Sequence, residues 1–101
     1  MRKGKMREIF YVDETLTRGF SVSLPEGILI LIEDAAERCS YVPPNKIKKH
    51  AEFLLNLITA LYPDTKPEDI ELYLKVFKLE YRRRRRNKLL MQKLSSLDKN
   101  E

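Results

Sequence analysis

Five consecutive arginines, Arg82, Arg83, Arg84, Arg85 and Arg86, are followed by Lys88 and Lys93, and no carboxylate lies between Glu80 and Asp98. A guanidinium stays charged at any physiological pH and presents a planar fork of donors that matches phosphate oxygens two at a time. The chemistry this stretch suits is electrostatic capture of a polyanion. On a helix of about 3.6 residues per turn, five successive side chains travel right round the cylinder, so no single packed face can hold them all. The plainer alternative is a solvated basic segment that only aids solubility.

Other side chains that do chemistry are sparse. A zinc site usually takes three or four Cys or His ligands, and this chain offers Cys39 and His50. The three glycines, Gly4, Gly19 and Gly27, are too scattered to form a phosphate-cradling loop. Cys39 reads as a small buried hydrophobe and His50 as a surface residue. Nothing proposes catalysis, a metal or another cofactor, so the chain reads as a binding protein rather than an enzyme.

The 101 residues are enough for one domain with a modest core, which dimerisation would strengthen. The net charge of +5 is unevenly spread: residues 1–7 carry +4, residues 8–81 carry −5, and residues 82–101 carry +6. An acidic body between basic ends repels a polyanion over much of its surface, so contact should be confined to the ends and their neighbours. A lone cysteine makes no intramolecular disulfide, and no apolar run is long enough for a signal segment or a membrane span. The expected location is the cytoplasm, with no membrane partner.

Residues 1–7 read as a basic arm, followed by a single domain over 8–97 and a disordered tail over 98–101. Residues 9–12 form a β-prone run, and residues 19–24 alternate strictly, with Phe20, Val22 and Leu24 on one face and Ser21 and Ser23 on the other. The apolar run 28–32 suits either strand or helix. The wider spacing of Ile28, Leu29, Leu31, Ile32, Ala35, Ala36 and Cys39 favours a helix over about 26–40, with Ile30 off its buried face. Pro44 suits the first turn of a second helix, about 44–62, so apolar that deep burial or a partner subunit is expected. Thr65, Pro67 and Glu68 read as a capping box for a third helix over about 66–95, which runs through the arginines.

This order of parts resembles the ribbon-helix-helix family of DNA-binding regulators. The similarity spans about residues 18–62 and rests on Arg18-Gly19-Phe20-Ser21-Val22-Ser23-Leu24-Pro25-Glu26, on Ile32, Ala35 and Ala36, and on Val42 and residues 47–58. It implies a mainly α fold with a short β-ribbon: a ribbon-helix-helix-like homodimer, here with an additional C-terminal basic helix. In such a dimer two chains pair their strands, and the polar ribbon face enters the major groove of double-stranded DNA. Arg18, Ser21 and Ser23 would then read bases, and Lys3, Lys5, Arg7, Asn45, Lys46, Lys48, Lys49, Lys88 and the five arginines would bind phosphates.

Two departures stand out. Gly19 occupies a position where the family places a long base-reading side chain, and Val42-Pro43-Pro44-Asn45 replaces a loop whose amides bind phosphate. Proline has no amide hydrogen, so that anion site would rest on Asn45, Lys46 and the helix dipole. The run 9–12 could also pair with 20–24 within one chain, giving a small α+β domain similar to a winged helix in rearranged order, or add a strand outside the ribbon. Sequence-specific binding of double-stranded DNA by a homodimeric regulator is the first expectation. The alternative is an accessory or assembly protein that binds DNA or RNA without sequence preference and a protein partner through its apolar helices.

Overall fold

The computed structural model describes residues 5–13 and 18–99, with side chains described over 5–11 and 19–94. Two strands, β1 (Met6–Asp13) and β2 (Arg18–Pro25), form an antiparallel pair. Three helices follow: α1 (Glu26–Arg38), α2 (Ile47–Leu61), which a single 3-10 turn (Pro44–Lys46) introduces, and α3 (Pro67–Lys99). The chain is mainly helical, with a two-stranded ribbon at its N-terminal end.

The alternation in residues 19–24 places the ribbon as expected. Val22 and Leu24 are buried and Phe20 half-buried, while Ser21 and Ser23 are exposed. The partner strand lies in the same chain, however, with Ile9 opposite Val22 and Tyr11 opposite Phe20. The hairpin, left open by the sequence, is therefore the arrangement adopted, and β1 occupies one edge of β2. β1 also begins earlier than residue 9, drawing Met6 and Arg7 out of the basic arm.

Gly19 has a local explanation. The ring of Phe10 lies across it, in the space that a Cβ at residue 19 would need. An aromatic side chain covering a strand glycine is a known way of compensating for glycine's missing contacts in a sheet.

Helix α1 follows Pro25 directly. No side chain caps it, but the Glu26 amide donates to the Lys5 carbonyl at 2.8 Å, which ties the helix start to the strand beside it. Ile28, Leu29, Ile32 and Ala36 are buried and Ile30 is exposed, which settles run 28–32 as helix in the expected phase. Cys39 is buried just beyond the last turn.

Two local expectations need correction. Thr65 does not cap α3: its hydroxyl donates back to the Tyr62 carbonyl at 2.6 Å and closes the turn after α2, while α3 starts at Pro67. Nor is α2 deeply buried within one chain. Ala51, Leu54 and Ile58 face the core, whereas Phe53, Leu57 and Leu61, one turn apart, are exposed, Phe53 to 72%. Helix α3 continues through Lys99, past the expected end near 95 and into the segment read as a tail. Its buried residues are Tyr73, Val76, Phe77, Glu80 and Tyr81, and beyond the core Leu89, Leu90, Met91 and Leu94 are exposed. None of the helices is long and apolar enough to cross a membrane.

Candidate nucleic-acid interface

The arginine run begins where α3 leaves the core, and the fold uses part of it internally. Tyr73, Phe77, Glu80 and Arg84 fall at helical spacing i, i+4, i+7 and i+11, so Glu80 and Arg84 continue the buried stripe of α3. Glu80 is only 1% exposed. A carboxylate so far from water requires cations and hydrogen-bond donors in place of its hydration, and three groups supply them. The Tyr11 hydroxyl donates to Oε1 at 3.2 Å. Arg83 Nη2 lies 2.8 Å from Oε2, and Arg84 Nη1 lies 2.7 Å from the same oxygen.

Arg84 then reaches further. Its Nη2 is 3.5 Å from Glu33 Oε2 and its Nε is 3.2 Å from Glu37 Oε2, so one guanidinium spans three carboxylates from two helices. It is 19% exposed, against 55% for Arg83. Only a planar, five-donor group can make these contacts together, which a lysine could not. Arg7 Nη1 adds a contact to Glu33 at 3.6 Å, and Lys88 Nζ one to Glu37 at 3.7 Å. Three carboxylates and four cations thus leave this cluster nearly neutral.

Arg85 points elsewhere. Its Nη1 donates to the carbonyls of Ser40 and Val42 at 3.3 and 3.2 Å, bracing the loop between α1 and α2. The Tyr81 hydroxyl donates to the same Val42 carbonyl. Arg82 and Arg86 are exposed.

The remaining residues expected to bind phosphate divide into two groups. Lys3 lies outside the described residues, and so does the side chain of Arg18, expected to read bases, whose backbone in β2 pairs with Asp13 of β1. Lys5 is exposed. Asn45, Lys46, Lys48 and Lys49 are all exposed around the start of α2, whose first turn holds no acid. The three lysines form no ion pair among the described residues. They stand at the positive end of the helix dipole, where extra cations are unfavourable unless an anion joins them. The Lys46 amide donates to the Pro43 carbonyl at 2.9 Å, so Lys46 can serve an anion only through its ammonium. Arg85 brings this segment close to α3, since four residues from Val42 to Lys46 span at most about 14 Å.

On the ribbon's outer face, Ser21 lies opposite Phe10 and Ser23 opposite Glu8. Met6, Glu8 and Phe10 are exposed beside the two serines. The face is therefore neither basic nor uniformly polar. Among the described residues, no group of three or more His, Cys, Asp or Glu side chains is placed to hold a metal ion.

Sequence reasoning missed Glu80, Tyr11, Glu33 and Glu37. The signal for Glu80 was present: it stands three and four residues before Arg83 and Arg84, the spacing of helical ion pairs, and on the apolar stripe. The α1 acids and Tyr11 meet the run only through tertiary packing. Comparison with protein-family models, with curated proteins and with solved structures finds no match.

The Tyr11 phenol is pushed up far above its ordinary value near 10, chiefly by burial and then by the negative charge of Glu80 and the hydrogen bond to it. Burial raises Tyr73 in the same direction, with Asp69 and Asp64 adding to it. A folded-state value raised above the unfolded one gives stability that is complete below about pH 10 and falls as the pH rises beyond it. Urea unfolding between pH 8 and 11.5 should show that decline, with Tyr11 contributing up to about 1.4 kcal/mol per pH unit. Tyr11→Phe should flatten it, and an unchanged alkaline slope in that variant would count against the buried Tyr11–Glu80 contact.

Proposed function

We propose that this chain is a double-stranded DNA-binding protein of regulatory type, acting as a homodimer that occupies its site. The observation that carries this reading is the exposed trio Lys46, Lys48 and Lys49 at the start of α2, without an acid in the first turn or an ion pair among the described residues. Arg82 on α3 is also exposed, and Arg85, three residues on, contacts the loop that leads into α2. Phosphate contacts of this kind give affinity and orientation, while base edges in the grooves give specificity. Ser21 and Ser23, exposed on the ribbon, are the groups proposed to read base edges, since a hydroxyl both donates and accepts.

The homodimer is supported by the exposed stripe Phe53, Leu57 and Leu61 on α2, large apolar side chains that a partner subunit would cover. A second reading, binding without sequence preference in an accessory role, is favoured by Glu8 and Phe10. They flank the serines on the face that would enter the groove, and the carboxylate is repelled by phosphates.

Binding to a duplex enriched from a random pool, and to its scrambled counterpart, measured against salt concentration, separates the two. The regulator predicts a clear preference for the enriched duplex, lost on Ser21→Ala with Ser23→Ala; equal affinities leave the accessory role. In either case, replacing Lys46, Lys48 and Lys49 with glutamine should reduce the steepness of log K against log[salt] by about 2.7, at roughly 0.9 per phosphate contact. A slope that does not change removes these lysines from the interface.

Sedimentation gives the test of the assembly. The wild type should run as a dimer, and Phe53→Lys with Leu57→Lys as a folded monomer. A wild type that stays monomeric at tens of micromolar contradicts the homodimer.

A further inference from the structure

Between α1 and α2 the chain buries Ser40 and Val42 and turns Tyr41 outward, 75% exposed. That arrangement is held from both sides. The Ser40 hydroxyl donates to the Glu37 carbonyl at 2.7 Å, and the Val42 amide donates to the Cys39 carbonyl at 2.8 Å. Arg85 grips the carbonyls before and after Tyr41, at Ser40 and Val42, and the Tyr81 hydroxyl adds a second donor to Val42. An aromatic ring on a backbone braced in this way is preorganised, so less ordering entropy opposes contact with a flat partner.

The surroundings indicate which partner. Arg85 places a guanidinium at the base of the tyrosine, and Lys46, Lys48 and Lys49 follow within the next eight residues. An exposed aromatic beside a basic track is the pairing that binds unpaired nucleotides: cations follow the phosphates while the ring stacks on a base. Every base offers a π-face, so the contact needs no particular sequence.

We propose that Tyr41 is a stacking platform for an unpaired base of the bound DNA, at a bulge, a frayed end or a junction with single-stranded DNA. The proposal rests on the DNA-binding function above and adds a second ligand group to it, a base outside the double helix. Arg85 is the positioning residue: it shapes the loop instead of serving the phosphates.

Three duplexes of one sequence test it: fully paired, carrying one bulged thymidine, and carrying an abasic residue in place of that thymidine. Wild type should bind the bulged duplex roughly 5- to 150-fold more tightly than the abasic one. The chain has no tryptophan; Tyr11, Tyr73 and Tyr81 are buried and Tyr62 is half-buried, so stacking on Tyr41 should also quench part of the tyrosine fluorescence in the bulged complex, a change that Tyr41→Ala removes. Tyr41→Phe should keep the preference, and Tyr41→Ala should abolish it while leaving affinity for the abasic duplex unchanged. A wild type that binds the bulged and abasic duplexes equally, or a Tyr41→Ala variant that still prefers the bulge, overturns the platform and leaves DNA binding standing. Failure to bind any of the three overturns both.

Discussion

A carboxylate removed from water is tolerated only where cations and hydrogen-bond donors replace its hydration, and in this chain Glu80 imposes that requirement where three elements meet. The hairpin answers with the Tyr11 hydroxyl, α3 with Arg83 and Arg84, and α1 joins through the grip of Arg84 on Glu33 and Glu37. Removing one member of such a buried set costs about 3–5 kcal/mol, because the others are left facing uncompensated charge. Lys75 Nζ on α3 lies 4.4 Å above the Phe20 ring and adds a second contact between hairpin and helix, while Tyr11 packs on Phe20 within the hairpin, ring centroids 5.8 Å apart. The orientation of the ribbon on the helices is thus fixed by an ionic contact as well as by the apolar core.

This constraint changes what the arginine run does. A segment with no acid for seventeen residues suggests a free polycation, yet Arg83 and Arg84 answer acids of the fold and Arg85 answers the carbonyls of a loop. Glu33 and Glu37, part of the acidic body, occupy donors that a phosphate would otherwise meet. The lysines at the start of α2, without such partners among the described residues, are the exposed positive charge left open to an anion there. A run that looks uniform is therefore divided between internal contacts and exposed surface, and the division follows helical phase: Arg84 continues the core stripe, and Arg82 and Arg86 lie outside it.

Much of the fold was legible in the residues. Alternation in 20–24 announced the ribbon and its faces, and the spacing of Ile28, Leu29, Ile32 and Ala36 announced α1, because burial on one face leaves a periodic trace. What a single chain does with an excess of apolar surface leaves no such trace, so Phe53 and Leu57 gave no sign that they face outward. The pairing of β1 with β2 was open because two short β-prone runs can pair within a chain or between chains. Thr65 was misread because its hydroxyl has two carbonyl and amide partners within reach, and the turn after α2 claims it. Of the candidate site, the lysines at the start of α2 were visible as a cluster, whereas the capture of Arg84 by Glu33 and Glu37, 51 and 47 residues before it, depends on how α1 and α3 are brought together.

The most direct test of this division is the unfolding free energy of Arg84→Gln set beside that of Arg82→Gln, two residues of one type two positions apart. If Glu80 and the α1 acids depend on Arg84, its replacement should cost about 3–5 kcal/mol while Arg82→Gln stays within about 0.5 kcal/mol of wild type. Equal and small effects from both would mean that the buried carboxylate does not rely on the arginine run, and that the run is a free polycation after all.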